Sequence, residues 1–160
     1  MTQFYQPKLR LTQIMKEPGG KTVADAVTAA TEAVGKLSDR AVVYVDQTLA
    51  QLDAAFAALP PAFEAQALAP IYQYANNLIG AASTARLVAL DRTAYDFCDL
   101  VDRMSANGRW DRQAIKVYID ALHLFRRGDI GEAAVEGVTA GLKRVRQHYL
   151  AANTPAPKAG

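Results

Sequence analysis

The sequence predicts an all-α protein, built as an up-down antiparallel helical bundle. Apolar residues recur at helical spacing over long stretches, and proline, glycine and capping residues separate these stretches. Period-two alternation between turn signals is not sustained anywhere, and the short "AVVYV" at 41–45 lies inside a helical pattern. Short connections favour antiparallel neighbours, so we expect four main helices plus an extra one.

The first predicted helix is the longest. Thr22 and Asp25 have the spacing of a capping box, with Asp in place of the usual Glu. Apolar spacing then continues as far as Phe56, and Pro60 and Pro61 end the helix. It would be roughly 50 Å long unless "GKLSDR" at 35–40 bends it. A helix of this length offers a surface through which a homodimer can form.

Two helices follow in close succession. Pro70 suits a first helical position, and we expect the second helix to run from there to about Arg86. The third is predicted from about Ala89 to Ser105 and stops at "ANG". The two should form a hairpin.

Capping residues also mark the last two helices. Asp111 is placed to cap a fourth helix that ends in "RRGD", and Asp129 with Glu132 has the spacing of a capping box for a fifth. The predicted organisation is a Pro/Gly-interrupted N-terminal arm over 1–21, the bundle over 22–152, and a disordered tail over 153–160.

Composition narrows the function classes. The 160 residues suffice for one domain, 51% of them are hydrophobic, and the net charge of +2 is too small for a typical nucleic-acid binder. Apolar runs fall short of a membrane span, and the first residues lack a secretory signal. The single Cys98 cannot form an internal disulfide. We therefore expect a cytoplasmic protein without nucleic-acid or membrane partners.

The second helix divides into two faces. Five residues at helical spacing should face the core: Ile71, Ala75, Leu78, Ala82 and Ala85. The opposite face contains Asn76 and Gly80. Glycine inside a helix costs about 1 kcal/mol relative to alanine, so Gly80 indicates either a close approach by a partner or close helix packing.

The stretch "ANNLIGAASTARLVALDRTAYDFCDLVDRM" at 75–104 resembles the central hairpin of histidine-containing phosphotransfer (HPt) domains. Their motif is approximately A-H-x-L-K-G-[AS]-[AS]-x-x-x-G-[LA]. The matching positions are Ala75, Leu78, Gly80, Ala81, Ala82 and Leu87. The resemblance covers about thirty residues and implies an HPt-like four-helix bundle. The "GG" before the long helix and "GRWD" after the hairpin are also similar to the CheE-type chemotaxis accessory proteins of alphaproteobacteria.

The departures from this motif bear on chemistry. Asn76 stands where the family has its phosphorylated histidine, Ile79 where it has a lysine, and Arg86 where it has a second glycine. A carboxamide is not basic enough to accept a phosphoryl group, and isoleucine cannot stabilise the charge of one in transit. We therefore expect a protein that is not an enzyme and uses neither cofactor nor metal.

What the resemblance leaves is a binding face for a CheY-like receiver domain of a response regulator, in two-component or chemotaxis signalling. The small residues beside Asn76 would admit the receiver's loops, and an exposed Ile79 would add an apolar anchor. Arg86 and Arg92 would complement an acidic receiver site. The predicted partner-binding residues are Tyr72, Gln73, Asn76, Ile79, Gly80, Ser83, Thr84 and Arg86.

Two other classes stay open. In a structural or oligomerising scaffold, Gly80 would serve helix packing, and Asn76, Ile79 and Ser83 would be buried between helices rather than exposed. A phosphotransferase would need His123 or His148, which lie outside the motif. Asp96, Asp99 and Asp102 form a stripe along one helix without converging ligands, so they predict a solvated face rather than a metal site.

Overall fold

The structure is a computed structural model that describes residues 22–152. Its helices are α1 (Val23–Ala57), α2 (Ala65–Leu78), α3 (Ala81–Thr84), α4 (Val88–Ala106), α5 (Arg112–Arg127) and α6 (Glu132–Ala152). No strand occurs within the described range, so the predicted all-α helical bundle is confirmed. The predicted arm (1–21) and tail (153–160) lie outside the described residues.

The chain divides into two compact units, Met1–Lys36 and Leu37–Gly160. In the first unit, residues 22–36 are described; their side chains are all exposed, and 23–36 are helical. The predicted capping box opens this helix. The Thr22 N–H donates to Asp25 Oδ2 at 3.2 Å, and the Asp25 N–H donates to Thr22 Oγ1 at 3.1 Å. These reciprocal bonds satisfy backbone donors that a helix start otherwise leaves free.

The second unit contains the core, to which every helix from α1 to α6 contributes buried apolar side chains. At its centre, Phe97 of α4 stacks on Tyr118 of α5 with the ring centroids 5.3 Å apart. Arg126 near the end of α5 binds Asp46 of α1, and His123 binds Asp53, which lies about two turns further along α1. The residue numbers of the α1 partners rise while those of the α5 partners fall, so the two helices are antiparallel.

The start of α5 also holds the connection between α1 and α2. Asp111 caps α5, as predicted, by accepting a hydrogen bond from the Ala114 N–H at 3.0 Å. The Arg112 guanidinium donates to the Leu59 carbonyl at 2.6 Å and lies over the Phe56 ring, 5.2 Å from its centroid. The Arg112 side chain therefore binds the chain just beyond the end of α1, where the connection to α2 begins.

Two helix starts differ from the prediction. α2 begins at Ala65, so Pro70 lies inside it rather than at its first position. Proline removes only the bond to the carbonyl four residues earlier, which belongs to the exposed Gln66 and can bind water. α6 begins at Glu132, and its first carbonyl acceptor is Gly131, so Asp129 lies too early to cap it. Between residues 22 and 152, no helix is long and apolar enough to cross a membrane.

Candidate functional site

The core face predicted for the hairpin is correct. Ile71, Ala75, Leu78 and Ala82 have no exposed surface, and Ala85 is 8% exposed. Because this face points inward, the residues on the opposite side point to solvent. The orientation of Asn76 follows from the same geometry, and its side chain is exposed.

The predicted continuous helix from Pro70 to Arg86 is wrong, because the chain breaks at Gly80. α2 ends at Leu78, where the Ile79 N–H donates to the Asn76 carbonyl at 3.1 Å in a tight last turn. Gly80 then has φ +79° and ψ −42°, a backbone conformation that residues with a Cβ rarely adopt. Its N–H donates to Asp91 Oδ1 at 2.8 Å. Gly80 therefore permits a bend that Asp91 of α4 holds.

A one-turn helix, α3, follows and ends in a left-handed residue. The Arg86 N–H donates to the Ser83 carbonyl at 2.9 Å, and the Leu87 N–H donates to the Ala82 carbonyl at 2.7 Å. This pair of bonds is the Schellman pattern of helix termination. Arg86 has φ +62° at the position where glycine is usual. The motif's second glycine falls on this same position.

Seven of the eight predicted partner-binding residues are exposed. Tyr72, Gln73 and Asn76 lie along one side of α2, while Gly80, Ser83, Thr84 and Arg86 follow the break. Ile79 differs from the prediction: it is half-buried and packs against the core. Because it packs against the core, its side chain cannot serve as a fully exposed anchor.

Exposed apolar residues on α4 were missed by the sequence prediction. Val88 is 68% exposed and Tyr95 is 67% exposed, with the exposed Arg92 between them at helical spacing. Asp91, which holds Gly80, lies on the same side of α4. A helical wheel of 88–106 would have placed these residues opposite the predicted core positions Leu90, Ala94 and Phe97. We call the following set the junction surface: Asn76, Gly80, Ser83, Thr84, Val88, Arg92 and Tyr95.

A shallow groove lies beside this region, between α2 and α4. Its volume is about 250 Å³. Tyr72 forms part of its wall, together with Leu68, Val101 and Asp102. The groove continues the α2 side of the predicted face toward the start of that helix.

The junction surface contains neither histidine of the chain, and the neutral Asn76 stands at the motif's histidine position. His123 lies on α5 with Nε2 3.0 Å from both Asp53 carboxylate oxygens, and His148 is exposed on α6. Within the described part of the chain, no cluster of three or more acidic, histidine or cysteine side chains could hold a metal ion.

The aspartate stripe on α4 has partners of another kind. The Arg146 guanidinium of α6 lies 3.1 Å from Asp96 and 3.3 Å from Asp99. Asp99 also binds Arg103 one turn along α4 at 3.0 Å. These carboxylates therefore join α4 to α6, while Asp102 is exposed.

Burial raises the pKa values of two side chains in the core, those of Cys98 and Tyr118. Cys98 is 7% exposed, and loss of solvent raises the pKa of its thiol to about 11. A thiol of such high pKa is a poor nucleophile at neutral pH. Burial, together with Asp96, raises the pKa of Tyr118 to about 12.

The comparisons with known proteins identify no relative of this chain. No protein-family model, curated protein or solved structure matches the chain.

Proposed function

We propose that this protein is a non-catalytic adaptor of the HPt type, which binds a response-regulator receiver domain through the junction surface and does not accept its phosphoryl group. The observation that supports this most is the exposure of Asn76, Gly80 and Ser83 around one bend of the hairpin. The scaffold alternative required these three residues and Ile79 to be buried between helices, and of the four only Ile79 packs against the core.

The shape of the junction surface suits docking. Gly80 has no side chain, a Cβ added there would meet nothing within 4 Å, and Ser83 and Thr84 are small. Loops of a partner can therefore approach the backbone closely. Val88 and Tyr95 add apolar area at the side, and tyrosine is among the residues enriched at the centres of protein interfaces.

Charge also favours an acidic partner. Arg86 and Arg92 are both exposed near the bend. Asp91, the nearest acidic residue, has its carboxylate engaged by the Gly80 N–H. Receiver domains carry an acidic phosphorylation site, so cations at the rim would speed encounter and fix orientation. The neutral Asn76 could donate to a receiver carboxylate without the protonation change that transfer needs.

The motif's second glycine gives further support. Arg86 occupies that position and has φ +62°, the left-handed conformation that glycine adopts most readily. The backbone thus retains a conformation that the family sequence favours, although the side chain has changed. An asparagine in place of the motif's histidine, together with this backbone contour, supports binding without phosphoryl transfer.

Such an adaptor would act by differential affinity. A ligand that binds one state of a receiver more tightly shifts the receiver toward that state, and equal affinity for both states shifts nothing. The relevant comparison is therefore between the unphosphorylated receiver and the same receiver activated with beryllofluoride.

The test is a titration of purified receiver domains from the same organism with the purified full chain. We expect at least one receiver to bind, with a Kd that differs between its two states. Tyr95→Glu should weaken binding about tenfold or more, because it places a charge on the exposed apolar part of the junction surface. Ile79→Glu is less suitable, since that side chain packs on the core.

Val43→Glu provides the matched control, because Val43 is 55% exposed on α1 and lies outside the junction surface. It should bind the receiver as the wild type does. Equal binding by the Tyr95 variant, or no binding to any receiver, would count against the proposal. Incubation with a radiolabelled phosphoreceiver should leave the chain unlabelled, and acid-labile label on a histidine would contradict the non-catalytic part.

A further inference from the structure

An apolar stripe lies exposed along the first part of α1. Of the nine large apolar side chains exposed in the described part of the chain, five belong to it. The spacing alternates between four and three residues, so the stripe repeats every seven residues and runs through three heptads from Val23 to Tyr44. We call it the α1 seam, and all its members are exposed except the half-buried Ala41: Val23, Val27, Ala30, Val34, Leu37, Ala41 and Tyr44.

The residues around the seam follow the same heptad. Asp25, Glu32 and Asp39 recur every seven residues on the outer side of the helix. The positions that flank the seam are small or uncharged except for one arginine: Ala24, Ala26, Thr31, Ala33, Ser38 and Arg40. An apolar seam with an acidic outer side and small flanks is the pattern of a helix that pairs with another helix.

The exposure of this segment needs an explanation. In proteins, most helical stability comes from packing of an apolar face rather than from intrinsic propensity. Residues 22–36 are helical from Val23 onward, yet every side chain among them is exposed. Val23 is 82% exposed, Val27 60% and Val34 54%. A partner helix would supply the packing that the described residues do not.

We infer that the α1 seam pairs with the α1 seam of a second copy of this chain, forming a homodimer through a two-stranded coiled coil. This inference does not rest on the proposed function. Charged flanking residues normally select a different partner helix, and here Arg40 is the only one. Because few charged residues flank the seam, little repels a second copy of the same helix. The same apolar surface can then face itself, as a two-fold interface requires.

The arm of the same chain is a poorer occupant. Pro7 and the run Pro18-Gly19-Gly20 interrupt residues 1–21, so the longest stretch of the arm's sequence without proline is ten residues, against 22 in the seam. The sequence of the arm therefore offers no uninterrupted helical stretch as long as the seam. The apolar faces of α2, α4 and α5 are already buried in the core. A second α1 is therefore the matching helix that this chain itself provides.

The test is the solution mass of the untagged full chain, measured by light scattering during size-exclusion chromatography at micromolar concentration. One chain has a mass of 17.3 kDa, so the wild type should elute at about twice that mass. The double variant Val27→Glu/Val34→Glu should have the mass of one chain. Two glutamates from each copy would face one another in the seam, where charge is not tolerated.

Thr28→Glu/Gly35→Glu is the matched control. It introduces the same charges at the same separation, one residue further along the helix and off the seam, and both positions are exposed. It should remain dimeric, as should Tyr95→Glu. A monomeric wild type would overturn the inference, as would a seam variant that stays dimeric or a control that dissociates equally. Circular dichroism should show that all variants keep the helical bundle.

Discussion

Replacing Gly80 by alanine tests the bend directly, because the two descriptions of this residue predict opposite signs. A glycine within a continuous helix would make Gly80→Ala stabilising by about 1 kcal/mol. The structure gives Gly80 φ +79° and ψ −42° with no neighbouring atom within 4 Å of an added Cβ. The cost is therefore conformational rather than steric overlap with a neighbour, and strained backbone of this kind costs on the order of 1–3 kcal/mol.

We expect Gly80→Ala to lower the free energy of unfolding by about 1–3 kcal/mol, measured by urea denaturation monitored by circular dichroism. Gly137→Ala is the control, since Gly137 is exposed inside α6 and does not have a positive φ. It should raise the stability by about 0.5–1 kcal/mol. A stabilising effect at both positions would refute the bend and restore the continuous helix.

Two other predictions concern stability. Arg86→Gly should stabilise the protein by about 0.5–1 kcal/mol in the same urea assay, because φ +62° suits glycine; a loss of stability would argue against the left-handed helix end. Alkaline pH should destabilise the protein, because the unfolded state ionises first. Burial raises the pKa of Cys98 from 9.0 to about 11 and that of Tyr118 from 10.0 to about 12. The stability that Cys98 contributes should therefore be lost as the pH rises from 9.0 to about 11, and that of Tyr118 as it rises from 10.0 to about 12. Each group contributes on the order of 2–3 kcal/mol. Tyr118→Phe should flatten the upper part of this pH profile in urea titrations, and an unchanged profile would contradict the assignment.

The sequence was sufficient for features that depend on periodicity and capping. The buried face of the hairpin, with Ile71 and Leu78, follows from helical spacing. The caps at Thr22 and Asp111 follow from side chains that satisfy the first backbone N–H groups of a helix. These are local relations, so the chain itself contains the information needed to predict them.

The bend at Gly80 could not be predicted in the same way. Its stabilising contact is Asp91, eleven residues away and on another helix, and a periodic pattern does not identify such a partner. The apolar spacing across the break is also uninterrupted, because Ala82 and Ala85 remain buried. The core pattern thus concealed a change of chain direction that only the three-dimensional contact defines.

The same limit applied to the candidate site. Asn76, Gly80 and Ser83 were predicted as exposed because they oppose the core face, and they are exposed. Ile79 was misplaced because the tight last turn of α2 directs it toward the core. Val88 and Tyr95 were not predicted, because the motif that identifies the binding face ends at Leu87, one residue before α4 begins.

Mapping a bound receiver onto the chain by NMR tests the central claim most directly. The full chain, labelled with ¹⁵N, would be titrated with the receiver that binds it, and backbone amide shifts recorded. We predict that the largest changes fall on Asn76, Gly80, Ser83 and Tyr95 and are small on the outer side of α6. Changes concentrated on α6 or along α1, with the hairpin unaffected, would contradict the proposed docking surface.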